Sequence, residues 1–158
     1  MRGPRGGVIM ATARLASKIA RGLFPGVQGG PQNHIIAAKA QAFLEAAQPA
    51  FRLYQQQVIQ NCRTMCQTFR NHHFEPLGGI SDNHLFLLNT VTSPAKITGA
   101  VAVQRLAQIN IVANKNVMPN DKLGVKTTSG VRFGSAAMTT RSWTTEQFQH
   151  LVRIIIRT

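Results

Sequence analysis

The stretch Phe51-Arg52-Leu53-Tyr54-Gln55-Gln56-Gln57-Val58-Ile59-Gln60-Asn61-Cys62-Arg63-Thr64-Met65-Cys66-Gln67-Thr68-Phe69 decides how the rest of the chain is read. Within it Phe51, Tyr54, Val58, Cys62, Met65 and Phe69 recur at steps of 3, 4, 4, 3 and 4. That period places one side chain per turn on one helical face, so it predicts a single buried stripe on a helix of about six turns. Pro49, just ahead, either breaks the preceding pattern or opens this helix, since proline is tolerated in a first helical turn.

Upstream, a helical pattern runs from about Gln32 to Gln48, with Ile35, Ile36, Phe43 and Leu44 as its apolar residues. Before it, Leu23 to Pro31 is dense in glycine and proline and reads as a loop. The first residues have two readings. Arg2, Arg5, Arg14, Lys18 and Arg21, with no acid before Glu45, have the composition of an organellar transit peptide. Alternatively, Arg2-Gly3-Pro4-Arg5-Gly6-Gly7 is a turn that leads into Val8-Ile9-Met10-Ala11, an apolar run of strand length, and this is the preferred reading. Such a strand, without its sheet, would leave residues 1–30 poorly ordered or prone to associate, while the chain from Pro49 onward folds.

Downstream, His84-Leu85-Phe86-Leu87-Leu88 reads as a buried strand, and Thr98 caps a helix carrying Val101, Ala102, Leu106 and Ile109. Strands are expected at Ile109 to Val112 and at Val131 to Gly134. Thr144 with Gln147 forms a capping box for a last helix whose Phe148, Leu151, Ile154 and Ile155 face inward. From about Phe74 the order is therefore βαββα, a small α/β layer with helices on one sheet face.

The 158 residues include 18 Lys+Arg against 5 Asp+Glu, a net charge of +13, with 44% hydrophobic residues. A disordered polycation is excluded by that apolar content, and a domain of this size buries roughly 70% of its unfolded surface. No apolar run reaches the ~20 residues of a membrane span. Two cysteines make no disulfide framework, so a reducing, cytoplasmic setting is the default, or an organelle on the transit-peptide reading. The charge arises mainly from missing acids: Glu45, Glu75, Asp82, Asp121 and Glu146 are all there are. The basic residues are spread singly rather than gathered with stacking aromatics, which fits nonspecific nucleic-acid contact better than sequence recognition.

Three constellations bear on chemistry. Gly26-Val27-Gln28-Gly29-Gly30-Pro31 before a helix can bring backbone N–H groups close to a phosphate, although as a bare pattern a simple turn accounts for it. Cys62, Cys66, His72 and His73 invite a zinc reading, but Cys62 belongs to the apolar stripe and buried cysteine packs as a small hydrophobe. Arg132, inside Ser129-Gly130-Val131-Arg132-Phe133-Gly134, either faces water from an edge strand or faces a cleft where its guanidinium holds a ligand carboxylate. No nucleophile–base pair or pair of carboxylates stands out.

Taken together, these segments resemble serine hydroxymethyltransferase, a pyridoxal-phosphate enzyme of one-carbon metabolism. The resemblance spans essentially the whole chain. It is carried by Arg2 to Gly7, by Phe24 to Pro31 with His34, by Tyr54 to Val58, by Asp82 to Leu87, by Asn114-Lys115-Asn116 with Pro119-Asn120-Asp121, and by Thr128 to Arg132, in family order.

The resemblance implies a fold-type I α/β architecture. Residues 1–48 would be a remnant of the large cofactor-binding domain, 49–73 a bridging helix and 74–158 a small C-terminal α/β domain. It implies that Gly29, Gly30 and Arg5 bind the cofactor, with the two glycines at the phosphate across a subunit interface. Arg132 would clamp the carboxylate of serine or glycine, and Arg141 would support that region. The parent reaction moves the hydroxymethyl group of serine to tetrahydrofolate. In the family the Schiff-base lysine falls two positions before the residue aligned with Met1, so this chain is expected to be inactive by itself. Homo-oligomerisation, or association with a full-length homologue as a non-catalytic partner, is expected instead. A basic RNA-associating protein is the remaining alternative. Where the family has a Ser-Pro-Phe contact to folate, this chain has Gly124-Val125-Lys126.

Overall fold

The computed structural model describes residues 2–158. The chain forms two compact units, Met1–Arg52 and Leu53–Thr158.

In the first unit, α1 (Ala13–Arg21) is sharply amphipathic. Leu15 and Ile19 lie on one side, and Arg14, Lys18 and Arg21 on the other. A wide turn, Gly22–Val27, follows; Phe24 and Pro25 leave helical geometry, and Gln28 N–H bonds back to the Leu23 carbonyl at 2.8 Å. This matches the loop expected from the glycines and prolines. Helix α2 (Asn33–Ala46) is slightly shorter than its sequence pattern. Val8 to Ala11 forms no strand, contrary to expectation, and Val8, Ile9 and Met10 are 55%, 69% and 92% exposed. A strand needs neighbours for its N–H and C=O groups, and the only sheet among the described residues lies beyond residue 84. No residue from 2 to 52 is buried.

The second unit is organised by α3 (Pro49–Arg70), which Pro49 opens. Val58, Cys62, Met65 and Phe69 are buried as their spacing predicts, joined by Asn61, Cys66 and Thr68, whereas Phe51 and Tyr54, the first two residues of the expected stripe, are only half-buried. Three strands, β1 (Leu85–Asn89), β2 (Asn114–Asn116) and β3 (Gly130–Gly134), form an antiparallel sheet in the order β1-β3-β2. Phe86, Leu88, Val131 and Phe133 point to one face, where α3, α4 (Gly99–Gln108) and α7 (Thr145–Arg157) cover them. Phe69 is the hub, with its ring centroid 5.5 Å from Phe133, 5.8 Å from Phe86 and 6.0 Å from Phe74. Two short helices, α5 (Gly124–Thr127) and α6 (Ala136–Thr140), complete the βαββα plan.

Helix ends explain where the strand expectations shift. At the end of α4, Asn110 adopts a left-handed φ of 60°, its N–H bonds to Ala107, and Ile111 N–H bonds to Leu106. This is a Schellman closure, which turns the chain through Ile109 to Ile111 and defers β2 to Asn114. Thus Ile109 to Val112 is not a strand. The same closure ends α3 at His73 (φ 64°) and α6 at Ser142 (φ 64°). At α3 it brings Phe74 back onto Phe69, the apolar contact typical of this motif. Thr98 and Thr144 cap α4 and α7 as expected, the latter with the full capping box. On α7 the inward residues are Phe148 and Val152, with Leu151 and Ile155 half-buried; Ile154 is 39% exposed, contrary to expectation.

Candidate functional site

Arg132 sits on β3, the central strand, opposite Leu87 of β1 and Asn114 of β2. The edge-strand reading therefore does not hold. Its neighbours Val131 and Phe133 enter the core, so alternation turns Arg132 to the open side. It lines two shallow grooves that share Ala113 and Asn114: one continues along Lys115, Asn116 and α4, the other past His84, Leu85 and Gly134. Its guanidinium makes no hydrogen bond or ion pair among the described residues, whose two ion pairs are Arg63–Asp82 (2.9 Å) and Arg70–Glu75 (3.4 Å). A free guanidinium fork in a groove lined by amides is suited to a small carboxylate.

The loop between β2 and β3 is closed by Asp121. Its carboxylate accepts hydrogen bonds from Ser129 Oγ and Ser129 N–H, both at 2.7 Å, from Leu123 N–H at 3.0 Å and from Met118 N–H at 3.2 Å. The Ser129 hydroxyl, followed by the backbone N–H groups, holds the Asp121 carboxyl well below the usual carboxylate range. Lys115 Nζ donates to the Lys126 carbonyl across the same loop. Sequence inspection placed Asp121 and Ser129 in separate motifs; only the fold joins them.

Arg141 follows α6 and is exposed, outside the lining of either Arg132 groove. Its segment is fixed to α3 by polar contacts: Tyr54 Oη lies 2.9 Å from Thr140 Oγ1, Asn61 Nδ2 donates to Thr139 Oγ1 (2.9 Å), and Ser135 Oγ donates to the Val58 carbonyl (2.7 Å). This polar side of α3 was not read from the sequence, where the apolar stripe dominates.

In the first unit Gly29 and Gly30 precede α2 in the exposed loop, and a Cβ on either would meet no atom within 4 Å. The first turn of α2 carries no acid and no side-chain cap; its Ile35 and Ile36 N–H groups bond to the Gln32 carbonyl. Arg5 is exposed, with no partner among the described residues. Two glycines ahead of a helix N-terminus are backbone of the kind that can approach an anion.

Cys62 and Cys66 lie wholly within the core. The hydrogen bond to Cys62 and burial push the Cys66 thiol up, so it stays protonated. Among the described residues no three His, Cys, Asp or Glu side chains gather as a metal site, and His73 serves as a helix cap. No helix among them is long and apolar enough to cross a membrane.

The second unit is thus a small α/β domain that presents an unpaired arginine beside amide side chains on the open face of a three-stranded sheet. The family model described as Serine hydroxymethyltransferase matches residues 1–155. Serine hydroxymethyltransferase of Mycoplasma mobile is 48% identical over 157 residues, covering 99% of this chain and 37% of that protein. The Coprothermobacter proteolyticus protein is 48% identical over 147 residues (93% and 35%), and serine hydroxymethyltransferase 1 of Rhodospirillum rubrum 43% over 159 (100% and 36%). The chain belongs to the serine hydroxymethyltransferase family and spans about a third of the length of the curated relatives it matches.

Proposed function

We propose that these residues supply the substrate-carboxylate side of a serine hydroxymethyltransferase site. In this reading, 1–48 belongs to the large domain, 49–73 to the bridging helix and 74–158 to the small domain. The carrying observation is Arg132, unpaired on the central strand and lining grooves with Asn114. Its guanidinium binds the carboxylate of serine or glycine and orients the amino acid; Arg141, held through Thr139 and Thr140 to α3, supports that region. Gly29, Gly30 and Arg5 would hold the phosphate of pyridoxal phosphate, which when bound supplies the electron sink for bond cleavage next to the amino group. A lysine to carry that group and an acid for its ring are, on this reading, not supplied by these 158 residues, which by themselves are expected not to turn serine over. The tetrahydrofolate contact at Gly124-Val125-Lys126 lacks the family's apolar ring and is expected to be weak.

The test is borohydride trapping. The pure chain is incubated with pyridoxal phosphate and reduced, and tagged lysines are mapped by mass spectrometry. Slow, scattered labelling is expected; stoichiometric tagging of one residue among Lys18, Lys39, Lys96, Lys115, Lys122 and Lys126 would overturn the inactive reading. Glycine titration followed at the Arg132 Nε–H resonance tests the carboxylate role directly. A second observation, that no residue from 2 to 52 is buried, favours association with another copy or with a full-length homologue. Light scattering of the chain alone and mixed with that homologue distinguishes the two.

A further inference from the structure

We propose that Asp121 is a positioning residue for Arg132, setting the register of β3 and joining the strands on either side of the guanidinium's groove. The proposal rests on the reading of Arg132 as a carboxylate clamp.

Both carboxylate oxygens of Asp121 are used twice. Oδ2 accepts from Met118 N–H and Ser129 N–H, and Oδ1 from Leu123 N–H and Ser129 Oγ. Met118 lies just past the exit of β2, and Ser129 immediately before the entry of β3. One side chain thus ties the strand carrying Asn114 and Asn116 to the strand carrying Arg132. The entry is crowded and leaves no room to slip. A Cβ on Gly130 would collide with the Met118 side chain, and one on Gly99 with Thr128 Oγ1 and the Gly130 carbonyl.

Thr128, directly before Ser129, is buried with φ 57° and ψ 153°, a conformation strongly unfavourable for a residue with a branched Cβ. Such strain persists only where the surroundings over-determine it. Here the Thr128 carbonyl accepts from Gly99 N–H (2.9 Å), Thr128 Oγ1 donates to the Gly130 carbonyl (3.2 Å), and the Ser129 carbonyl accepts from Thr90 N–H (2.8 Å). A one-residue slip at this entry would turn Arg132 into the core and expose Val131 or Phe133.

Asp121 is the only acid between Asp82 and Glu146 in the sequence, and its four bonds go to Met118, Leu123 and Ser129. Neither of the two ion pairs among the described residues involves Asp121 or Arg132. Asp121 thus orders the entry to β3 while the Arg132 guanidinium stays unpaired.

The test compares Asp121→Asn, Ser129→Ala and, as a stability control away from the grooves, Thr144→Ala, all in the full chain. The readouts are the ligand-free Arg132 Nε–H and Asn114 side-chain resonances, the glycine affinity, and the urea midpoint. Asp121→Asn is expected to displace both ligand-free resonances and to weaken glycine binding about tenfold, with Ser129→Ala intermediate. Thr144→Ala should lower the urea midpoint and leave both resonances in place. If Asp121→Asn does not fold, Ser129→Ala, which deletes one of the four bonds, decides the same question. Arg132 and Asn114 resonances unmoved in the folded variants would overturn the proposal. If the wild-type chain binds no glycine while those resonances still move, the positioning role stands and the carboxylate reading falls.

Discussion

Two apolar runs of similar composition meet opposite fates in this chain. Val8-Ile9-Met10 joins no strand and is exposed, whereas Phe86-Leu87-Leu88 is a strand with Phe86 and Leu88 buried at 4% and 2% exposure. The difference lies in what surrounds them. The second run has β3 to satisfy its backbone and α3, α4 and α7 to cover its inner face; the first, among residues 2–52, has neither. Strand propensity describes a fit to a half-buried pleated surface, so it has no force where that surface is missing. The same contrast separates Gly29, Gly30 and Arg5, proposed for the cofactor side and lying among residues 2–52, none of which is buried, from Arg132, which stands on a packed sheet.

The contrast is broken most directly at Phe69, which touches three other rings at the centre of the core. Phe69→Ala should lower the unfolding free energy by about 3–5 kcal/mol, measured by urea denaturation, because it removes a buried ring and leaves a cavity between α3 and the sheet. A loss as small as that of a surface change would show that the second unit is not the packed body described here.

Acid sharpens the comparison further, since the two units differ in their bonded carboxylates. Asp121 has a folded-state pKa below its value in the unfolded chain, near 3.8. Its contribution to stability is therefore complete above the ordinary carboxylate range and is lost as the pH falls through that range towards the folded value. Glu146, lowered by its contact with the Thr144 hydroxyl, acts in the same direction. Urea midpoints at pH 6, 4 and 3 should fall in the wild type and fall less steeply in Asp121→Asn; parallel profiles would mean that the Asp121 bonds seen here do not govern the acid limb.

At the next level down is Thr144, whose hydroxyl accepts from Gln147 N–H while Gln147 Oε1 accepts from Thr144 N–H at 2.8 Å. Thr144→Ala should cost about 1 kcal/mol, the usual worth of such a cap, read from the same denaturation curves. A neutral result would mean that α7 is anchored by Phe148 and Val152 alone.

What the sequence made legible follows from how local each signal is. The stripe on α3, both threonine caps and the strands at residues 84–88 and 131–134 rest on spacing within one element, and they stand within a residue or so. The missed strand at Ile109 to Val112 had a different cause. Helix closure is usually flagged by glycine, but His73, Asn110 and Ser142 take the left-handed position here, so nothing in the composition marked those three ends. The candidate site divides in the same way. Arg132 was legible because an arginine in an apolar strand demands a partner or a cleft, and its lack of a carboxylate partner agrees with the scarcity of acids. Asp121 was not, because its role depends on bringing together residues from two sides of a loop. The polar face of α3 was hidden for a similar reason: Asn61 and Ser135 matter only once α6 lies against the helix.

The smallest expected effect is the most discriminating. Phe43 is as large and apolar as Phe69, lies in the last turn of a regular helix, and is 45% exposed. Burial determines the penalty for truncating an aromatic, so Phe43→Ala should change the unfolding free energy by no more than about 0.5 kcal/mol in the isolated chain. The pairing with Phe69→Ala removes chemistry from the comparison and leaves only surroundings. If the chain associates through its first unit, Phe43→Ala should instead weaken assembly, seen as a rise in the concentration at which light scattering reports the larger species. A large loss of monomer stability from Phe43→Ala would show that the first unit has a core of its own, and the difference between the two regions would vanish.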